Sequence, residues 1–257
     1  MARTERTILR ILLPPAFWLG VWQFAAFIVE RRVGRGAGAL LLPGPVSVLR
    51  TLLRLGVTLP FWKTVALSLG RILLGMLSGV TAGALLAALT AAFPWADRVV
   101  SPAIRVVRAT PVTSFILLLL LWTGRDTVPV FIAALMVLPV VWDNIFRGIQ
   151  AVDKRLIELS KAYRFSPLQT LRLIYLPSLK PYLAAALGSA MGLAWKSGTA
   201  AEVLCLPRHA IGTRIYQSKL YLEIPELFAW TVVVVSLSLI LEHLLRRALR
   251  GGKGASA

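Results

Sequence analysis

The feature that most constrains this chain is a series of apolar stretches, each about 20 residues long and almost free of charge. A helix of that length crosses the hydrocarbon core of a bilayer. Continuous runs favour helices, because the strands of a membrane barrel would show short segments of alternating polarity. From the run lengths we expect about six spans, at roughly 11–29, 65–92, 104–122, 128–146, 181–204 and 227–245.

The composition agrees with a membrane domain. Of the 257 residues, 57% are hydrophobic and only 16% are charged, whereas about a quarter of an ordinary soluble domain is charged. Because the apolar runs follow one another with short breaks, we predict one all-α domain over 1–257, a polytopic transmembrane helical bundle. Its core would cover about 60–247, with the first span and a surface helix in 1–59 and a basic tail in 248–257.

The net charge of +18 has two possible meanings, a nucleic-acid partner or a membrane surface. The membrane is favoured, because the basic residues lie between the apolar runs and the chain has no zinc-finger spacing or RNA-binding motif. Placing both termini in the cytoplasm puts 17 Lys and Arg residues on inner segments and 10 on outer ones. This bias predicts cytoplasmic termini.

The segment between the first two spans, LLPGPVSVLRTLLRLG over 41–56, predicts a short helix after a break at residues 43–45. Arg50 and Arg54 lie away from its apolar side. That side would carry Val48, Leu49, Leu52, Leu53 and Leu55. Such a helix could lie on the membrane surface or pack on the bundle like an ordinary surface helix, and the pattern leaves both open.

The most informative polar segment is RGIQAVDKRLIELSKAYRFSPLQTLRLIYLPSLKP, residues 147–181, between spans four and five. A short helix would begin after Asp153, a candidate cap, and end before Ser166 and Pro167, since Ser favours caps and Pro favours first turns. One face would carry Leu156, Ile157 and Ser160. A cytoplasmic helix with exposed apolar residues is suited to docking in a groove of another protein.

This segment resembles the cytoplasmic signature loop of ABC-importer permeases, which reads Glu-Ala-Ala, three residues, Gly, and about nine residues later Ile-x-Leu-Pro. The matching positions are Glu158, Ile174, Leu176 and Pro177. Leu159 and Ser160 replace the two alanines, and Arg164 replaces the Gly. Arg164 in place of Gly could change the turn after the helix, because Gly readily takes a left-handed backbone conformation that Arg adopts reluctantly.

Three further stretches look like permeases of the nitrate/sulfonate/taurine type. They are VALSLGRILLGMLSGVTAG (65–83), RATPVTSFILLLLLWTG (108–124) and GLAWKSGTAAEVLCLPRHAIGTRIYQSKLYLEIPELFAWT (192–231). With the loop, the resemblance covers most of 45–245. It implies a permease subunit of an ATP-driven importer in the bacterial inner membrane, forming the path of a small anion of that class.

The resemblance also implies the partners. Two ABC ATPase subunits would bind in the cytoplasm, an extracytoplasmic binding protein would deliver substrate, and a second copy of the chain would complete a homodimer in the bilayer, with no nucleic acid involved. The ATPase-coupling helix would comprise Asp153, Leu156, Ile157, Glu158, Ser160, Lys161, Ala162 and Arg164. ATP would be used by the partner and no cofactor bound here, since the sequence has no GxxxxGK[ST] phosphate loop.

Other classes of function have less support. An enzyme would need paired acids, a His cluster or a nucleophile beside a base, and the single Cys205 and the distant His209 and His243 form neither a catalytic nor a metal site. The alternatives that remain are a membrane scaffold and a self-sufficient, ion-coupled secondary transporter without an ATPase partner. In the latter, Glu202 could be the proton-coupling acid.

Gly75, Gly79 and Gly83 form a ladder with one small residue every four positions in the second span. Such ladders let two helices approach closely in lipid. The ladder is typical of static helix packing, and it would also suit a moving contact near the transport path.

Three charged residues, Arg71, Lys196 and Glu202, fall within or near spans and are candidates for the transport path. Charges at membrane depth are costly and usually face a cavity, a partner or the interface. Lys196 or Arg71 could favour an anionic substrate. The simpler explanation is an ion pair between helices or an anchor at the interface.

Overall fold

The computed structural model describes residues 2–34 and 41–251, and over these residues the regular structure is helical. The helices are α1 (Ala2–Val33), α2 (Pro45–Gly56), α3 (Leu59–Ala92), α4 (Pro94–Ala109), α5 (Val112–Trp122), α6 (Val128–Gln150), α7 (Lys154–Ala162), α8 (Pro167–Thr170), a π-helical turn (Leu171–Tyr175), α9 (Leu176–Cys205), α10 (Ile211–Leu220) and α11 (Ile224–Gly251). The predicted all-α class is confirmed. The part of the predicted basic tail beyond residue 251 lies outside the described residues.

Within the described residues, four helices are long and apolar enough to cross a bilayer, at 13–33, 59–92, 128–150 and 224–249, and a bent pair, α4 with α5, could be a fifth span. The 30-residue α9 is long enough, but Gly, Ser and charged residues make it less apolar than these. α9 packs against both α3 and α6 at the centre of the bundle. A helix with protein neighbours on several sides needs less apolar surface than one that faces lipid.

The span expected over 104–122 is not one continuous helix, because the chain bends by 105° between α4 and α5. The bend falls at Thr110 and Pro111, where Thr110 is extended with φ −83° and ψ 132°. The residue before a proline avoids the helical region, so the helix ends there although the apolar run continues.

The core of the bundle is the packing of α3 against α6, where the three glycines of the ladder lie. A Cβ added at Gly79 would lie 2.5 Å from the carbonyl oxygen of Ala134, and one at Gly83 would lie 2.7 Å from that of Leu138. At Gly75 a Cβ would collide with the carbonyl oxygen of Val130. These distances are shorter than atomic contact allows, so the helices approach closely only because the side chains are absent.

The short helix α2 packs mainly against α11, with smaller contacts to α1 and α3, and leaves part of its apolar side exposed. Val48 is buried, whereas Leu49 and Leu53 are exposed. The helix is therefore packed on the bundle along one edge, and its remaining apolar side faces outward. Nearby, the rings of Trp22 in α1 and Phe228 in α11 stack with centroids 5.7 Å apart, which attaches α1 to the same region.

Candidate functional site

The segment between α6 and α9 forms a compact unit around α7. Its start is capped, as the backbone N–H of Arg155 donates to Asp153 Oδ1 at 2.9 Å. The next short helix has a reciprocal cap. The Gln169 N–H donates to Ser166 Oγ at 3.3 Å, and the Ser166 N–H donates to Gln169 Oε1 at 2.7 Å. Satisfying these backbone donors fixes where each helix begins, which gives the polar segment a definite shape.

Arg164 lies in the turn that ends α7. Its backbone adopts the left-handed conformation, with φ +52°. The Phe165 N–H donates to the Ser160 carbonyl oxygen at 2.8 Å, and the Arg164 N–H donates to that of Lys161 at 3.0 Å. This pair of bonds is the Schellman motif, in which Gly normally takes the left-handed position. The turn is therefore kept, with an arginine in the position that a glycine would hold without strain.

A groove of about 520 Å³ separates α7 from the segment that follows it. Its lining includes Ile157, Ser160, Lys161, Phe165, Leu171 and Tyr175. The wall is thus mainly apolar and aromatic, with one cation at its edge. An open apolar groove of this size can accept a side chain from another protein.

The eight residues predicted for the coupling helix lie together along this unit. Ser160 is buried, and its hydroxyl donates to the carbonyl oxygen of Ile157, itself half-buried. The exposed members are Asp153, Leu156, Glu158, Lys161, Ala162 and Arg164. The face predicted for Leu156, Ile157 and Ser160 is therefore divided, with Leu156 outward and the other two toward the groove.

The surface of the unit is apolar and basic. Tyr163 and Leu168 are 71% and 72% exposed, unusual values for such large side chains. Exposed basic residues outnumber acidic ones over 153–172, where Asp153 and Glu158 are the only acids. The basic residues are Lys154, Arg155, Lys161, Arg164 and Arg172. This surface favours a partner with apolar and acidic groups.

The π-helical turn Leu171–Tyr175 joins the unit to the bundle. Leu171 and Tyr175 line the groove and also a second, largely apolar cavity of about 660 Å³ between α3, α6 and α9. Pro177 stands in the first turn of α9, where a proline is tolerated, so the chain passes from the π-helical turn into α9 without a break. A displacement of the unit would therefore act directly on a core helix.

The second group of predicted residues lies at the other end of the bundle. The Arg71 guanidinium is 3.8 Å from Glu202 Oε1 and 3.7 Å from Asp126 Oδ1. It also donates to the carbonyl oxygens of Arg208 at 2.6 Å and His209 at 3.3 Å. Two carboxylates and two carbonyl groups surround this cation and compensate its positive charge, so Arg71 would attract an anionic solute only weakly.

The Glu202 carboxylate, which is fully buried, holds the loop after α9 against α3. Its Oε2 accepts from Ser68 Oγ at 2.9 Å and from the Gly212 N–H at 3.1 Å, and the Ser68 hydroxyl accepts from the Ile211 N–H at 2.9 Å. A Cβ at Gly212 would lie 2.5 Å from Glu202 Cβ. Gly212 therefore permits this approach of backbone to carboxylate.

Lys196 does not join this network. Its side chain is exposed, and it forms no ion pair with any residue in the described part of the chain. It continues an exposed strip of small residues along α9, formed by Ala185, Gly188 and Ser189. The structure thus brings Arg71 and Glu202 together and separates Lys196 from both.

Sequence reasoning missed Ser68, Asp126 and the backbone of residues 211 and 212. Ser68 lies 134 positions from Glu202 and 143 from Ile211, and Asp126 lies 82 positions from Arg208, so no local pattern marks these contacts. Gly212 follows Glu202 by 10 positions, but only the fold of the loop between them brings its N–H to the carboxylate. Glu202 itself is the signal in the sequence, because a carboxylate at membrane depth requires hydrogen-bond donors nearby.

Comparison with known proteins gives the family. Residues 79–250 match the family model described as binding-protein-dependent transport system inner membrane component. The chain belongs to this family. The resemblance to ABC-importer permeases of the sulfonate, taurine and nitrate type is confirmed, and the matched range includes the whole capped unit around α7.

The relatives and solved structures agree with this assignment. The permease is 25% identical over 217 residues to the taurine transport system permease protein TauC of Escherichia coli K12, covering 82% of this chain and 78% of TauC. It is 26% identical over 250 residues to the bicarbonate transport system permease protein CmpB of Synechocystis sp., covering 90% and 85%. A chain in an inward-facing structure of the MetNI methionine ABC transporter has the same fold, with TM-score 0.57, 19% identity, and 74% and 93% coverage.

Proposed function

We propose that this permease forms the membrane path of an ATP-driven importer for a small anion. The observation that carries the proposal is the capped unit around α7, which joins α6 directly to α9 and presents a groove and exposed apolar residues. A rigid surface unit connected to the core helices is suited to convert the movement of a bound partner into movement of the bundle.

The partners follow from this arrangement and from the family. ABC ATPase subunits would bind the unit around α7 in the cytoplasm and hydrolyse ATP, and an extracytoplasmic binding protein would deliver the solute. The permease itself would bind no cofactor and leave ATP hydrolysis to its partner, since its sequence has no phosphate loop. Both termini would then lie in the cytoplasm, in agreement with the distribution of basic residues.

A second copy of the permease is supported by the position of Lys196. Lys196 lies nine positions before Cys205, the last residue of α9, about 14 Å at the rise of a helix, which would put the lysine deep in a bilayer. A lysine facing lipid at that depth is unfavourable. A partner copy beside the small-residue strip of α9 would cover it and enclose a polar path between the two chains.

The anion class is supported by the relatives and by this same lysine. The taurine and bicarbonate permeases carry, by their names, solutes with a sulfonate or a carboxylate-like group. Of the two candidate cations, Arg71 is neutralised by Glu202 and Asp126, which leaves Lys196 as the residue to attract an anion.

The test is purification of the tagged permease from its native membrane in gentle detergent, followed by mass spectrometry of bound proteins. We expect an ABC ATPase subunit to co-purify, and to be lost when Leu156, Glu158 and Leu159 are replaced together by Ala. Replacement of three exposed residues on α3, Leu67, Leu74 and Leu77, by Ala is the matched control. A permease that purifies alone with α7 intact, and takes up solute without ATP, would favour the secondary transporter instead.

A further inference from the structure

Arg164 combines an unfavourable backbone conformation with a side chain that has no partner in the described part of its own chain. It holds the left-handed position of the Schellman motif after α7, where Gly would be free of strain. Its side chain is exposed and forms no hydrogen bond or ion pair with residues 13–34 or 41–249. An arginine that strains the backbone without a partner in the same chain suggests a partner in another molecule.

Strain alone does not identify such a site, because Leu222 has the same conformation after α10. Its φ is +58°, the Glu223 N–H donates to the Ser218 carbonyl oxygen at 2.8 Å, and the Leu222 N–H donates to that of Lys219 at 3.2 Å. The two turns are equivalent in their hydrogen bonds. What distinguishes Arg164 is its location and its charge.

Arg164 lies directly beside the groove at α7. Lys161, three residues earlier, and Phe165, the next residue, both line that groove. The two hydrogen bonds of the turn fix the direction in which the side chain leaves the backbone. An apolar groove next to two exposed cations fits a surface on which a carboxylate stands beside an apolar side chain.

We propose that Arg164 determines which ATPase subunit the permease accepts, by pairing with a carboxylate of that subunit while an apolar side chain of the same subunit enters the groove. The inference rests on the proposed function, because it requires an ATPase at α7. Arginine suits the role better than lysine, since its planar guanidinium can bind a carboxylate through two parallel N–H groups.

The experiment measures binding of the co-purifying ATPase subunit to the permease in detergent, at low and high salt, for wild type, Arg164→Gly, Arg164→Lys and Leu222→Gly. We expect Arg164→Gly to weaken binding about tenfold at low salt and to reduce the salt dependence. Arg164→Lys should lose less affinity than Arg164→Gly. Leu222→Gly, which relieves the same strain elsewhere, should bind like wild type.

The outcomes separate the two proposals. If wild type binds the ATPase and Arg164→Gly binds it equally well at every salt concentration, the role of Arg164 is refuted while the importer remains. If Arg164→Gly loses only its affinity for vesicles containing anionic lipid, Arg164 contacts the membrane surface and the role is likewise refuted. If wild type binds no ATPase subunit, the proposed function itself fails. Thermal unfolding of each variant checks that the substitutions leave the fold intact.

Discussion

Ser68 and Glu202, 134 residues apart in sequence, are joined by a hydrogen bond of 2.9 Å inside the bundle. Because the same Ser68 hydroxyl accepts the Ile211 N–H, one side chain of α3 holds both the end of α9 and the start of α10. A buried carboxylate with several donors and a nearby arginine stabilises the fold only as a complete set. Removing one member leaves the others desolvated and unpaired.

Replacing Glu202 by Leu should therefore destabilise the permease by about 3 kcal/mol, since Arg71 and the donors of Ser68 and Gly212 lose a buried acceptor. The measurement is thermal unfolding in detergent, where we expect the transition to fall by several degrees. Glu223→Leu is the control, because its side chain is exposed. An equal transition temperature for both variants would show that the network contributes nothing to stability.

The glycine ladder gives a second prediction with a control on the same helix. Gly79→Ala places a Cβ against the carbonyl oxygen of Ala134 and should cost about 2 kcal/mol, because neither helix backbone can move aside freely. Gly70→Ala meets nothing within 4 Å and should stabilise α3 by about 0.5–1 kcal/mol. Thermal unfolding in detergent measures the change in stability of both variants. Equal shifts for the two variants would contradict close packing at Gly79.

The sequence was sufficient to predict the helices whose positions depend on local features such as long apolar runs and caps. Long apolar runs predict α3, α6 and α11, and the Asp153 cap predicts where α7 begins. The bend at Pro111 was missed because the apolar run is continuous across it, so hydropathy hides a break that backbone sterics impose.

The tertiary contacts could not be predicted in the same way. The partners of Arg71 and Glu202 come from three distant parts of the chain, and only the folded bundle brings them together. The conformation of Arg164 was also beyond prediction, since its residue type disfavours a left-handed backbone that the hydrogen bonds of the turn nevertheless maintain.

The cap of α7 yields a prediction about coupling. Asp153→Ala removes the acceptor of the Arg155 N–H and should weaken the start of α7 by about 1 kcal/mol, whereas Asp153→Ser should restore most of it. Hydrogen exchange of the α7 amides reports the local loss. Stimulation of the bound ATPase by substrate-loaded binding protein should fall with Ala and recover with Ser. If exchange of the α7 amides is the same in all three proteins, the cap has no role in forming the helix.

The last prediction concerns the transport path. Lys196→Met removes the one candidate cation that has no carboxylate partner within the described chain, and should lower uptake of the anion about tenfold at low concentration, equivalent to about 1.4 kcal/mol. Lys196→Arg keeps the charge and should retain most activity. The measurement is ATP-dependent uptake into proteoliposomes containing the permease, its ATPase and its binding protein. Lys180→Met, at the other end of α9, is the control for loss of one exposed positive charge. If Lys196→Met takes up the anion like wild type at all substrate concentrations, Lys196 does not attract the solute. If the variant has a raised KM for uptake while the ATPase activity of the complex is unchanged, Lys196 lies on the transport path.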